Sequence, residues 1–510
     1  MRTVAGALGL SAVVFLAACD GGSQSGSGGG GQGGSGGAGG SAGSTGSAGS
    51  AGSAGGTGTG TGTEPAAPCG AFKTGDDFEV CAATYLTGSG DDTGGGADIA
   101  PDGTVVYGGS VNASSFGLTA GSLLAGGPAG IVRLSSDGRE ALSVTALGQS
   151  VTDVDVSEGS GDIAVSGDFG VAVLDAEAKA VKWSAGQGAA ARVAIAADGT
   201  VAALFGKKLR VLDANGGDLG SVDVTTNQSV NDIAIDGTSK TVFATGFKQD
   251  DGAPCSQLQI PFIRAFGYDG APKWKAYDWN KAEAGGVSDC ADSRGYALGM
   301  GRDGKLYFAG ESHGGNTVFR HGPTDISINA PVVKSDPYND PYNLNGAAPI
   351  GFYARFDPAT GAIEQGQFVC TRLSGGKGNA ARPRAIAADE AGNVIVGGAS
   401  ACCIEGGDTK TVNGVPAMPA YAGGGFVLVV SADFKERLAW TAFNGPSGSG
   451  ANGVAVAAAK SALVMVSQQA VDPAKNTSTG EIPLITVEAL QPEPGGGASD
   501  AWITVMPPVP

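Results

Sequence analysis

The sequence predicts an all-β fold, and three observations carry that reading. Residues 85–109, Y-L-T-G-S-G-D-D-T-G-G-G-A-D-I-A-P-D-G-T-V-V-Y-G-G, form a phrase of which the rest of the chain holds worn copies. Within it, short β-runs at 97–100 and 104–107 flank Asp102-Gly103, a dipeptide suited to a tight hairpin because glycine accepts positive φ at no steric cost. Seven copies of the opening run are countable, each followed by further short runs between turn signals. That repetition predicts a β-propeller, seven four-stranded blades behind a disordered N-terminal tether.

The chain begins with Arg2, an apolar run over 4–15 and then Leu16-Ala17-Ala18-Cys19. The run is too short to cross a bilayer, so residues 1–19 are expected to be a signal peptide. Small residues directly before Cys19 resemble a bacterial lipobox, which implies diacylation of Cys19, cleavage before it, and a membrane partner reached through that lipid. Residues 20–63 are almost wholly Gly, Ser, Ala and Thr, with nothing to build a core, and are expected to be a disordered tether. As a flexible chain it spans roughly 35–40 Å. The expected address is the bacterial cell envelope, facing periplasm or exterior.

Residues 64–510 are the expected propeller domain. First strands are placed at 98–100, 154–156, 193–195, 233–235, 298–300, 386–388 and 454–456. Turns with second strands follow most clearly at 198–205, 303–310 and 392–398, and third strands at 130–134, 171–174, 209–212, 262–266, 351–356 and 426–430. Fourth strands fall at 180–184, 273–279, 363–369 and 437–443. Residues 78–86 read as a fourth strand without its predecessors and 501–505 as a third without its successor, so the two ends are expected to pair.

Ala83-Thr84-Tyr85-Leu86 with Ser89-Gly90-Asp91-Asp92, then Asn393-Val394-Ile395-Val396-Gly397, then Gly495-Gly496-Gly497 with Asp500-Ala501-Trp502-Ile503, resemble the three phrases of the bacterial SBBP repeat. The resemblance covers most of 78–506 and implies a β-propeller in an extracytoplasmic setting. It implies no activity, catalytic residue or cofactor.

The net charge is −18, and the leader and tether hold only Arg2 and Asp20, so the charge belongs to the domain. An acidic body repels phosphate backbones, which makes nucleic acid the first partner to rule out and leaves cations, neutral glycans and basic proteins open, so that an envelope protein or glycan is the expected partner. Beyond Cys19 the cysteines are Cys69, Cys81, Cys255, Cys290, Cys370, Cys402 and Cys403, an odd set suited to disulfides outside the cytoplasm. In a blade, the second-to-third-strand connection and the connection to the next blade leave by one face. Cys255 with Cys290, and Cys370 with Cys402 or Cys403, occupy such connections, and Cys69 with Cys81 completes the expected pairs. A vicinal Cys402–Cys403 bridge is the alternative.

Chemistry is sparse. The two histidines, His313 and His321, lie in one long connection with Glu311 and Asp325 nearby, too loosely spaced to fix a zinc site, and read as solvated. Gly375-Gly376-Lys377-Gly378 lacks the Ser or Thr and the spacing of a phosphate loop. Asp153-Val154-Asp155 sits in strand alternation rather than a calcium loop; calcium has no specific motif, and no cofactor is expected.

Long second-to-third-strand connections at 111–129, 248–260, 311–350, 401–425 and 467–499 should give the propeller one elaborated face and one plain face. On the third, Asp336-Pro337-Tyr338-Asn339-Asp340-Pro341-Tyr342-Asn343 predicts two successive turns, which either present Tyr338 and Tyr342 beside Asp336, Asn339, Asp340 and Asn343 as a ligand surface or lay both rings over the ends of neighbouring blades. The expected role is a non-catalytic binding or scaffolding module. A polysaccharide lyase or hydrolase would need acid and base groups converging at the mouth, and a purely structural envelope protein is the other alternative.

Overall fold

Each inner strand of the molecule packs against the inner strand of the next sheet until the last returns to the first. The computed structural model describes residues 69–510 apart from 89, 187, 226–227, 252–253, 256, 331, 335–348, 374–377, 418–422, 444–450, 471–483 and 498. Cys19, residues 1–19 and 20–63, Gly375 to Lys377, and the predicted ligand residues Asp336, Tyr338, Asn339, Asp340, Tyr342 and Asn343 lie outside the described residues.

Among the described residues, seven sheets contain four antiparallel strands in the order of a blade. Their inner strands are Gly94–Ile99, Val151–Val156, Arg192–Ile195, Ser229–Asp236, Ser293–Met300, Ala381–Ala388 and Ala451–Ala459. These sheets are numbered 1 to 7 below. Ala451–Ala459 packs back on Gly94–Ile99, which closes the ring. The fold is an all-β propeller.

Both faces of a middle strand are covered by neighbouring sheets, so such strands carry near-continuous apolar runs. Phe426 through Val430 are all fully buried. Outer strands face water on one side, and Val181–Ala185 and Asp218–Asp223 alternate accordingly.

The first hairpin of sheets 1, 3, 5 and 6 uses a three-residue turn rather than a two-residue one. Gly103, at φ 87°, donates its N–H to the Ala100 carbonyl at 2.8 Å, while the Asp102 carboxylate accepts from the Thr104 N–H at 2.9 Å. The same arrangement recurs at Asp198-Gly199-Thr200 and Asp303-Gly304-Lys305. Only the glycine needs left-handed backbone, and the aspartate supplies an Asx turn.

The two ends of the chain meet in sheet 7, where Ala82–Tyr85 is the outer strand against Ser499–Met506, with Thr84 opposite Ile503 and Tyr85 opposite Trp502. This strand is shorter than the predicted 78–86. Asp77–Phe78 instead pairs in parallel with Thr411–Val412 in the connection of sheet 6.

A second departure concerns the fourth unit. Its predicted loop over 248–260 is largely a ladder, because Thr241–Asp251 and Gln257–Gly267 stay paired from Thr241 opposite Gly267 to Asp251 opposite Gln257. The strands run on beyond the ring because Leu258 and Ile260 have a small apolar cluster of their own to cover, with Ala284 and Val318.

Disulfides join Cys255 to Cys290, the pair expected from blade topology, and Cys69 to Cys81, the other expected pair. The third bridge is Cys402–Cys403, where the sequence reading pairs one of the two with Cys370. Cys403 takes a left-handed φ of 83°, which brings the adjacent sulfurs together. Cys370 is buried among the aromatic side chains between sheets 4 and 5, in a cluster that includes Phe352 and Phe368.

Candidate ligand site in the central channel

The inner strands run in the same direction, each starting at the end of the ring from which the long connections leave. Six of the seven carry a β-bulge near that start, with one extra residue each: Gly95, Thr152, Asn231, Tyr296, Arg384 and Val454. A bulge re-aims a side chain. Three of these side chains reach out of their own strand, Thr152 to the connection that leads into the next sheet and the other two to an adjacent sheet. Thr152 Oγ1 donates to the Ala190 carbonyl at 2.8 Å, Asn231 Nδ2 to the Gly295 carbonyl at 2.6 Å, and Arg384 lies over the Tyr296 ring.

Deeper along the strands, carboxylates take over the same task. The Asp98 carboxylate accepts from the Val156 N–H at 2.8 Å, Asp153 from Val193 at 3.1 Å, Asp155 from Ile195 at 2.7 Å, and Asp232 from Leu298 at 2.9 Å. In each case the donor belongs to the next inner strand. Inner strands of neighbouring blades do not form a ladder, so their edge N–H groups need another acceptor, and aspartate provides it.

These bonds do not cancel the cost of burial. Burial, with Asp232 adding to it and Arg192 opposing, pushes the Asp153 carboxyl up to about 7. Burial and the adjacent Asp98 hold Asp155 well above the usual carboxylate range. Burial raises Asp232 as well, against Arg192, whose Nε lies 3.3 Å from its carboxylate.

The channel these strands enclose is a cavity of about 530 Å³. At its plain end lies Arg302, from the turn after the inner strand of sheet 5. It donates to the Ile99 carbonyl across the ring at 2.5 Å and sits 3.5 Å from Asp98, with Glu158 and Glu390 at 4.0 Å.

At the loop-rich end, Glu311 is fully buried. Its Oε1 accepts from Arg294 Nη1 at 2.9 Å and the Tyr296 hydroxyl at 3.2 Å, and its Oε2 accepts from both terminal nitrogens of Arg384 at 3.2 Å. Arg382 stands 3.9 Å away and His313 Nε2 at 3.3 Å. Burial alone would raise Glu311, but the His313 hydrogen bond and the charges of Arg384 and Arg382 outweigh it and hold it down at about 2.

The histidines are therefore not the solvated loop residues the sequence suggests. His313 belongs to the Glu311 network, and His321 Nε2 is 2.6 Å from an Asp289 oxygen, with both side chains largely buried. Asp325 instead caps Ser327 in an exposed turn. Among the described residues, no group of three or more His, Cys, Asp or Glu is arranged to hold a metal ion. Sequence reasoning missed the channel altogether, although one signal was present: the inner strands open R-V-A-I, S-R-G-Y and A-R-P-R, with arginine at the starting end, while Asp98, Asp155 and Asp236 sit toward the far end.

Among solved structures the chain is similar to Kuenenia stuttgartiensis hydrazine synthase, at 10% identity and TM-score 0.44, over 79% of this chain and 97% of that one. It is also similar to U3-55K, at 9% identity and TM-score 0.43, over 84% and 99%. No family model matches the sequence, and no curated protein does. The fold assignment rests on the closed ring of four-stranded antiparallel sheets, which makes this chain a β-propeller.

Proposed function

We propose that this protein is a lipid-anchored, extracytoplasmic β-propeller of the SBBP type, acting as a non-catalytic binding or scaffolding module for an envelope protein or glycan. The observation that carries the reading is the inequality of the two channel ends. Arg302 and short Asx turns occupy one, while the long connections and the Glu311 network surround the other. A rigid ring with loops gathered at one end suits recognition. The channel carboxylates, which an enzyme would use as acid and base, are bonded to backbone N–H groups of neighbouring strands, which supports a structural duty for them.

The anchor rests on Leu16-Ala17-Ala18-Cys19 and the tether on residues 20–63. Cys19→Ser should release the protein from membranes or block its processing; a variant cleaved normally and still membrane-bound overturns the anchoring. Binding is tested by presenting the full chain to envelope glycans and secreted proteins, with and without calcium. Tyr338→Ala combined with Tyr342→Ala should abolish binding at an unchanged melting temperature, whereas a fall in melting temperature assigns both rings to packing.

A further inference from the structure

Neutralising one buried carboxylate takes one cation, yet three arginines converge on Glu311. Arg294 and Arg384 hold it directly, and Arg382 adds a third positive charge at 3.9 Å. The surplus stands at one end of a channel in a chain of net charge −18. Packing like charges together is unfavourable, so the excess is a feature to be explained rather than a by-product of pairing.

Arg384 lines the channel. Its guanidinium plane is fixed from one side by the Tyr296 ring at 3.7 Å and from another by Glu311 and the Pro383 carbonyl. A guanidinium held in this way is pre-organised for a planar oxyanion. The cavity wall also carries Asp153 and Asp232. Each of their oxygens already accepts one backbone N–H, from Val154 and Val193 at Asp153 and from Ile233 and Leu298 at Asp232, and keeps a second lone pair that a hydroxyl group can meet. The volume, about 530 Å³, is that of a small-molecule pocket.

We infer that the loop-rich mouth of the channel binds the carboxylate of an acidic sugar, with Arg384 as the direct contact, Arg382 supplying the supporting charge, and the Asp153 and Asp232 side receiving the sugar hydroxyls. This rests on the reading of that end as the recognition end and specifies its ligand chemistry.

The test is calorimetric titration of the full chain with D-glucuronate, with D-glucose as the neutral counterpart of the same ring and inorganic phosphate as a second oxyanion. Glucuronate should bind and glucose should not. Arg384→Gln should weaken glucuronate by about tenfold, the equivalent of one charged hydrogen bond. Arg382→Gln, whose guanidinium only approaches Glu311, should fold normally and weaken it by about threefold. Failure of glucuronate to bind, binding that survives both substitutions, equal binding of glucose, or arginine-dependent binding of phosphate alone each overturns the proposal. If glucuronate fails while another ligand still binds in a manner sensitive to Tyr338 and Tyr342, only this inference falls. Loss of every ligand condemns the recognition reading itself.

Discussion

The guanidinium of Arg384 lies 3.7 Å above the ring of Tyr296, and both residues are the extra residue of a β-bulge on adjacent inner strands. The stack is therefore built from two equivalent positions of the repeat, each turned out of register toward the other. Tyr296→Phe keeps the ring and loses the hydroxyl, which donates to Glu311 and accepts from Arg294, and should cost about 1 kcal/mol. Tyr296→Leu removes the stack too, and should cost about 1–2 kcal/mol more, read by denaturant unfolding. Equal effects of the two substitutions would show that the stack contributes nothing.

Glu311 is the shared counter-ion of that corner. Glu311→Ala leaves Arg294, Arg382 and Arg384 facing one another and should destabilise the protein by about 3–5 kcal/mol. Its carboxyl is held at about 2, below the ordinary carboxylate value, so its contribution is present above that ordinary value and is lost only as pH falls toward 2. Melting temperature near neutrality should owe no pH dependence to it.

Asp153 behaves in the opposite sense. Its carboxyl is raised to about 7, so the folded state favours the protonated form more than the unfolded chain does. The stability this contributes is complete below the ordinary carboxylate value and is lost as pH rises through about 7. Asp500, raised to about 6 chiefly by burial, acts in the same direction. The melting temperature should therefore fall as pH rises from the ordinary carboxylate value to about 7, by on the order of a few °C for Asp153 alone, and level off above that. Asp153→Asn keeps an oxygen for the Val193 N–H and should remove that part of the slope; an unchanged slope would place the titration elsewhere.

The outer strand of sheet 7 covers Ser499–Met506. Deleting residues 73–86 should expose that edge, with Trp502 and Ile503, and produce aggregation or a marked loss of heat resistance. A soluble deletion variant with unchanged melting behaviour would show that the pairing is dispensable.

The strands were legible in the sequence because a hairpin leaves local marks: Asp-Gly at the turn, β-branched runs beside it, and glycine where the chain needs left-handed backbone. The meeting of the ends was legible from phase alone, since a lone fourth strand and a lone third strand complement each other. The channel was not. Asp153 and Asp155 read correctly as strand residues, but which backbone N–H each accepts depends on the neighbouring blade about 40 positions away. Tyr296 and Arg384 acquired their role from bulges, and a bulge leaves no mark in a single sequence beyond one residue out of alternation. The extended ladder through Asp251 and Gln257 was read as loop because its polar residues, Lys248 to Asp251, stand beyond the ring, where strand patterning no longer needs an apolar face.

The pairing of Ala82–Tyr85 with Ser499–Met506 also has a consequence in time. Thr504 Oγ1 donates to the Ala82 carbonyl across 422 positions of sequence, and contacts of such separation are the slowest a chain makes. Six sheets can assemble from neighbours close in sequence, while the seventh waits for the C-terminal strand to find one laid down at the start. A chain emerging from its N-terminus would hold Ala82–Tyr85 unpartnered until nearly every other residue had appeared. Ring closure then becomes the last and slowest event of folding, and a prematurely ended product, lacking it, would present an unsatisfied strand to any protease or chaperone nearby.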